Sequence, residues 1–339
     1  MSLRAGRRTV AVLATLALAV IGGAACTSRE APTPGENGLT KVTVITGFGF
    51  QGQDSYLFAG RDQGFFTDAG IDLEIQAGKG TSGNLVALTS GAVQFATLDI
   101  TAAALIYDAA LSDKGGSKDF VLFGCTFQRI IATITARPDR GITAAPKSLE
   151  GAKIAYVTGS NNFLLFPIYA QLAGIDASKV EWLELSPEST GTIKPLLQAG
   201  QVDAITDTVV GLPGTRKILG AEPVMLPYDQ YLTDPYSNGL ATTPKIMAEN
   251  RSLVQRFHDA SFKSLSWALA HPDSAAASLE KVTKYPAATT IEEMAQMQGR
   301  VFINGDGTLG QIDPVRAKRA VAVLQAPAWS PTTWTRPPT

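Results

Sequence analysis

VTVITGFGFQGQDSYLFAGRDQGFFTDAGIDLEIQ, residues 42–76, decides the architecture. Val42–Thr46 alternates and is rich in β-branched residues, the pattern of a strand. Gly47–Gln53 is a glycine-rich loop, Tyr56–Gln63 reads as a short helix, and Ile71–Gln76 as a second strand. Strand, loop, helix and strand in that order predict an open α/β sheet. The rhythm continues outward through a helix at Asn84–Thr89, a strand at Val93–Leu98 and a helix at Thr101–Ala110. Phe120–Gly124 and Ile130–Ala136 read as further strands of a connected sheet. It then restarts: strand Lys153–Val157, helix Phe163–Ala173, strand Val180–Leu185, helix Gly191–Gln198, strand Ala204–Thr206. Two similar lobes are therefore expected. A strand at Gly239–Thr242 precedes mostly helical sequence to about Gln325, and Asp313 followed by Pro314 marks one helix start.

The chain has 339 residues, 45% hydrophobic and 17% charged, which excludes a wholly disordered protein and suits two domains. Its 29 basic and 30 acidic residues leave a net charge of -1, with no basic block in the body. A nucleic-acid binder needs a basic surface to replace phosphate counterions, so that class is excluded. Two cysteines and two histidines cannot build a disulfide framework or a Cys/His zinc site. Neither a metal nor a cofactor is expected. Asn304-Gly-Asp-Gly-Thr308 has part of a calcium-loop pattern, but Leu309 stands at the required glycine and no glutamate closes it.

The N-terminus reads as an export signal over residues 1–25: Arg4, Arg7 and Arg8, an apolar run Val10–Ile21 too short to span a bilayer, then small residues. Ala24-Ala25-Cys26 resembles a bacterial lipobox, which makes Cys26 the lipidated first residue of the mature protein. Gly23 departs from the usual Leu or Val of that motif, and an ordinary signal cut near Ala25 is the alternative. Arg7-Arg8 also permits twin-arginine export. Residues 26–38 are polar and rich in Pro and Gly, a tether that cannot pack. The tail, 326–339, holds too many prolines for regular structure.

Four segments carry a family resemblance: Tyr56-Leu-Phe-Ala-Gly-Arg-Asp-Gln-Gly-Phe-Phe66 leading into Ala69-Gly-Ile-Asp-Leu-Glu74; Leu88-Thr-Ser-Gly-Ala-Val-Gln-Phe95; Ser148-Leu-Glu-Gly-Ala-Lys-Ile-Ala155 with Ala173-Gly-Ile-Asp176; and Leu197-Gln-Ala-Gly-Gln-Val-Asp-Ala204. In order and spacing they resemble the substrate-binding proteins of ABC importers, in the group serving nitrate, sulfonates, taurine and thiamine-precursor pyrimidines. The resemblance covers roughly residues 41–325. It implies a two-lobe periplasmic-binding-protein fold of type II, each lobe an open sheet flanked by helices, with a hinge between them. Lobe one would hold 39–135 and 234–325, and lobe two 136–233. It further implies a monomeric receptor at the extracytoplasmic face, anchored by lipid, with a permease and its ATPase as partners. An enzyme of the same fold, desulfinase-like or pyrimidine-synthase-like, and a sensor without transport are the alternatives.

Ligands in such sheets bind beyond the carboxyl ends of strands. The first such loop offers Phe48, Phe50, Gln53, Asp54 and Tyr56. Phe48 stands where pyrimidine-binding relatives tend to have Trp and Asp54 near their His, two departures from that pattern. The second loop, Gly78-Lys-Gly-Thr-Ser-Gly83, matches a dinucleotide fingerprint. An exported chain has no nicotinamide supply, so Gly80, Thr81 and Ser82 are read instead as donors to a polar ligand, with Asp99 closing the next strand. Lobe two offers Gly159, Ser160 and Asn161 at a helix start, and Asp207 after a strand. Tyr236 and Asn238, where the chain returns, are hinge or ligand residues. Arg129 and Lys79 could meet an anion, whereas Asp54, Asp99 and Asp207 favour a neutral or cationic ring; the sequence leaves both open. A planar ligand with polar edges suits the mixture of rings and hydroxyls. Cys125 follows an apolar strand and reads as a buried small hydrophobe, far in sequence from His258 and His271, so no nucleophile–base pair is expected.

Overall fold

The computed structural model describes residues 35, 38–112, 117–301 and 309–324. The signal segment, Cys26, most of the tether, the 304–308 stretch and the tail lie outside the described residues. Within them, no helix is long and apolar enough to cross a membrane.

Each lobe is built on a five-stranded sheet. In chain order the first part runs β1 (Thr40–Ile45), β2 (Phe48–Gly49), α1 (Ser55–Asp62), α2 (Phe65–Asp68), β3 (Ile71–Gln76), β4 (Gly78–Lys79), α3 (Gly80–Thr89), β5 (Phe95–Asp99), α4 (Ile100–Leu111) and β6 (Val121–Cys125). The second part runs β7 (Ala132–Ala136), β8 (Lys153–Val157), α5 (Asn161–Ala173), β9 (Glu181–Leu185), α6 (Ile193–Gln198), β10 (Ala204–Thr208), α7 (Leu212–Leu219) and β11 (Val224–Pro227). The chain then returns as β12 (Asn238–Thr242) and closes with α8 (Pro244–Glu249), α9 (Arg251–Ala270), α10 (Pro272–Thr283), α11 (Ala287–Val301) and α12 (Pro314–Leu324).

The first sheet has the order β3-β1-β5-β12-β6 and the second β11-β7-β10-β8-β9. β1 is parallel to β3 and β5, whereas β12 enters antiparallel between β5 and β6. In the second sheet β8 is parallel to β9 and β10, and β7 is antiparallel to β10 and β11. This corrects one boundary. The sequence pattern joins Ile130–Ala136 to the first sheet and ends lobe one at 135. β7 instead pairs Ala132 with Thr208 and Ala136 with Ala204, in the second sheet. Its continuous apolar and Thr face is buried on both sides, so period alone cannot assign it to either lobe.

The first core gathers around Phe257 of α9, whose ring stacks on Phe95 at 4.0 Å. Gly60 is required where α1 crosses α9, because a Cβ there would lie 1.8 Å from Ser264 Oγ. The second core stacks Tyr169 on Tyr228 at 4.2 Å and Tyr156 on Phe163 at 3.7 Å. Cys125 is buried and donates to Phe127 O at 3.1 Å; burial pushes its thiol up to about 12, which leaves it inert.

Two crossovers, residues 126–131 and 228–237, join the lobes. They are tied to each other: Phe127 N donates to Asn238 O at 3.0 Å and Ser237 N to Phe127 O at 3.1 Å. The buried Arg316 of α12 clasps both. Its guanidinium donates to Asp234 O at 2.7 Å and to Gln128 O, and lies over the Tyr236 ring at 4.1 Å.

Candidate functional site

A cavity of about 530 Å³ lies between the two sheets and takes its walls from both lobes. The first wall is the loop after β1. β2 pairs with β4, Phe48 opposite Lys79, so two short strands hold Phe48 and Phe50 over the cleft. The fully buried Asn84 fixes this arrangement. Its Nδ2 donates to Thr46 O at 2.7 Å and Thr97 O at 2.9 Å, and its Oδ1 accepts from Lys79 N at 2.9 Å. One amide thus ties the ends of β1 and β5 to the start of α3. The sequence signal is faint: a lone Asn inside an apolar helix start.

The glycines of the 78–83 stretch are explained by close backbone approach. A Cβ at Gly78 would lie 1.9 Å from Thr46 O, and one at Gly80 would lie 2.6 Å from Gly159 O in the other lobe. Gly80 and Gly159 both have left-handed backbone, φ +79 and +81, and meet at the mouth of the cleft. Thr81 lines the cavity and accepts from Asp99 N at 3.0 Å. Asp99 caps α4 through Ala102 N at 2.8 Å and accepts from Ser237 Oγ at 2.9 Å, which joins this wall to the second crossover. Burial pushes its carboxyl up to about 6 against those hydrogen bonds. Asn238 pairs opposite Asp99 across β12 and β5 and also lines the cavity.

The second lobe contributes the start of α5 and the end of β10. Ser160 and Asn161 line the cavity, and Ser160 Oγ and Asn161 Oδ1 are buried without a partner. The neighbouring Asn162 donates to Asp207 O and accepts from Tyr228 OH at 3.1 Å, holding α5 against β10. Asp207 accepts from Thr215 Oγ1 at 2.6 Å and Thr208 N at 2.8 Å, with Lys194 Nζ 3.9 Å away.

The remaining wall comes from the segment leading into α11, with Tyr285, Pro286, Thr289 and Glu293. Glu293 is buried; Tyr285 OH donates to its Oε1 at 2.6 Å and Gly52 N to its Oε2 at 2.8 Å. Burial raises its carboxyl to about 7. Sequence reasoning missed Tyr285, Glu293 and Lys194, because the late helical region shows no strand end or glycine loop to mark a site.

The structure thus brings Phe48, Phe50, Gln53, Gly80, Thr81, Asp99, Ser160, Asn161, Asp207 and Asn238 to one cavity. It places five other candidates elsewhere. Tyr56 packs inside the first core, because the first turn of α1 turns its ring inward. Asp54 is buried beneath the loop, accepting from Gln51 N at 2.9 Å, and burial pushes its carboxyl up to about 8. Ser82 is exposed on the outer side of α3. Gly159 stands at the rim, and Tyr236 belongs to the crossover clasp. Arg129 and Lys79 are exposed and do not line the cavity.

Two α/β lobes, two crossovers and a cleft with walls from both define the periplasmic-binding-protein architecture of type II, the fold of ABC-importer binding components. The NMT1/THI5-like family matches residues 52–275, and the chain belongs to that family. Similar solved structures include the periplasmic aliphatic sulphonate-binding protein SsuA of Escherichia coli, with TM-score 0.62 and 15% identity over 83% of this chain and 89% of that one. The alkanesulfonate-binding protein SsuA of Xanthomonas axonopodis pv. citri, bound to MOPS, gives TM-score 0.61 and 16% identity over 83% and 89%. The periplasmic nitrate-binding protein NrtA of Synechocystis PCC 6803 gives 0.61 and 14% over 84% and 75%. No curated protein sequence matches the chain.

Proposed function

We propose that this protein is an extracytoplasmic solute receptor, anchored through Cys26, that captures a small planar ligand with polar edges and delivers it to an ABC permease and its ATPase. One observation carries the reading: a cavity of about 530 Å³ with walls from both lobes, mixing rings with buried unpartnered polar atoms. Phe48, Phe50 and Tyr285 offer flat apolar surface, while Gln53 Oε1, Ser160 Oγ and Asn161 Oδ1 are buried and unsatisfied. Buried polar groups are normally paired, so unpaired ones in a cleft mark where ligand atoms belong. The sulfonate and nitrate receptors share the fold at 15% and 14% identity, too distant to transfer a ligand.

A thermal-shift screen over pyrimidines, flavin-like heterocycles, aromatic acids, sulfonates, taurine and nitrate tests the reading, followed by scattering on the hits. A ligand that binds only the folded, closed form raises Tm and compacts the particle. Stabilisation by taurine or nitrate alone would overturn the planar ligand, and superimposable scattering curves would overturn closure. Cys26→Ala should release the protein from membranes. A variant that still fractionates with membranes would remove the anchor from the proposal.

A further inference from the structure

The cleft's buried charge is one-sided. Asp99, Asp207 and Glu293 line it, and each is buried or nearly so; Asp207's side chain is 8% exposed. Lys194 is the one partly buried cation on the wall, 24% exposed and already donating to Gly211 O at 3.1 Å. Lys217 also lines the cavity but is exposed, and no arginine lines it among the described residues. Neutral donors already meet each carboxylate, Ala102 N and Ser237 Oγ at Asp99, Thr215 Oγ1 and Thr208 N at Asp207, Tyr285 OH and Gly52 N at Glu293, so the carboxylates are held in place inside the cleft while their charge is only partly offset.

We propose that the ligand carries a positively charged, hydrogen-donating nitrogen group, an amine, amidine or protonated ring nitrogen, held at the Asp207–Glu293 wall. This rests on the solute-receptor reading above and names the ligand's chemical class. The unpaired atoms point the same way. Gln53 is 5% exposed, its Nε2 is engaged with Gln51 Oε1 at 3.3 Å, and that leaves Oε1 as an acceptor without a donor. Asn161 Oδ1 is a second buried acceptor of this kind.

Glu293 stands on lobe one and Asp207 on lobe two, so a cation between them attracts both lobes at once. Lys194 sits near both: a Cβ at Gly214 would lie 3.2 Å from Lys194 Nζ and 3.9 Å from Glu293 Oε1. A nitrate or sulfonate at the same wall would face two buried carboxylates, with the engaged Lys194 and the exposed Lys217 as the lining cations. Burial already holds Glu293 up to about 7, so a proton neutralises part of this wall when no cation is bound.

The experiment is calorimetry at neutral pH on the purified protein with matched planar probes: benzamidine and aminopyridinium as cations, benzamide as neutral, benzoate and benzenesulfonate as anions. The cations should bind at least about tenfold tighter than their neutral and anionic counterparts. Glu293→Gln and Asp207→Asn should each cost the cations about tenfold and spare benzamide. Lys194→Met, which removes the competing cation, should tighten cation binding. It supplies an independent readout should a carboxylate variant fail to fold. An anion that binds best, or a Glu293→Gln that tightens binding, overturns the cation while leaving the receptor standing. If no probe of any charge and no compound of the wider screen binds, both readings fall.

Discussion

Replacing Gly80 by alanine separates closure from stability. Gly80 meets Gly159 backbone to backbone at the cleft mouth, and an added Cβ would lie 2.6 Å from Gly159 O, where ordinary contact begins at 3.4 Å. The rims must part by about 0.8 Å, the difference of those two distances. Rigid overpacking of that kind costs typically about 1–3 kcal/mol. On the two-lobe closure proposed above, it falls only on the form in which the rims touch. In affinity that is a loss of roughly 5- to 150-fold. The left-handed backbone at φ +79 adds a second cost, roughly 1–2 kcal/mol, to open and closed forms alike. Gly64→Ala supplies the control: φ is +78 there, but nothing lies within 4 Å of its Cβ. Both variants should lose similar Tm. Only Gly80→Ala should weaken the ligand found by the screen and leave a larger scattering radius with ligand bound. Binding by Gly80→Ala within about twofold of Gly64→Ala would refute closure through this contact.

Three other outcomes are expected. Asp54 holds its proton to about pH 8 in the fold against an ordinary 3.8, so between those values the folded state binds more protons than the unfolded chain and stability falls as pH rises. Asp54→Asn should flatten that decline in Tm between about pH 5 and about pH 8, and a slope as steep as wild type would show another group responsible. Phe257→Ala removes the ring stacked on Phe95 at 4.0 Å in the first core and should cost about 3–5 kcal/mol in denaturant unfolding. Arg316→Met keeps the stem but strips the donors to Gln128 O and Asp234 O. Unliganded scattering should then broaden as the lobes sample more angles, and an unchanged profile would show that the clasp does not set the hinge.

The strands Ile71–Gln76 and Lys153–Val157 are legible to the residue, because β-branched or apolar runs there end in glycine or polar turns. β10 reads two residues short, since Asp207 and Thr208 are polar; they continue the ladder while facing the cleft. α7 and β11 escape notice: both are short and carry proline, and β11 gains its pairing only from β7, far back in the chain. The loop after β1 and the turn before α5 announce the cleft through glycine and helix starts. Tyr56 deceives because an aromatic beside a loop looks exposed, whereas the helix it opens turns that position inward. Glu293 lies on a helix whose pattern is that of any amphipathic surface helix. Only the tertiary crossing of α11 onto α7 brings it over Asp207's side of the cleft.

β12 has a consequence for how the molecule is made. It fills the slot between β5 and β6, yet it is synthesised after the entire second sheet. Until residues 238–242 arrive, β5 and β6 each present an unpaired edge in the middle of what will be a continuous sheet, and such edges invite pairing with other chains. The first lobe therefore cannot finish folding as it is synthesised, even though four of the five strands of its sheet come before the second sheet.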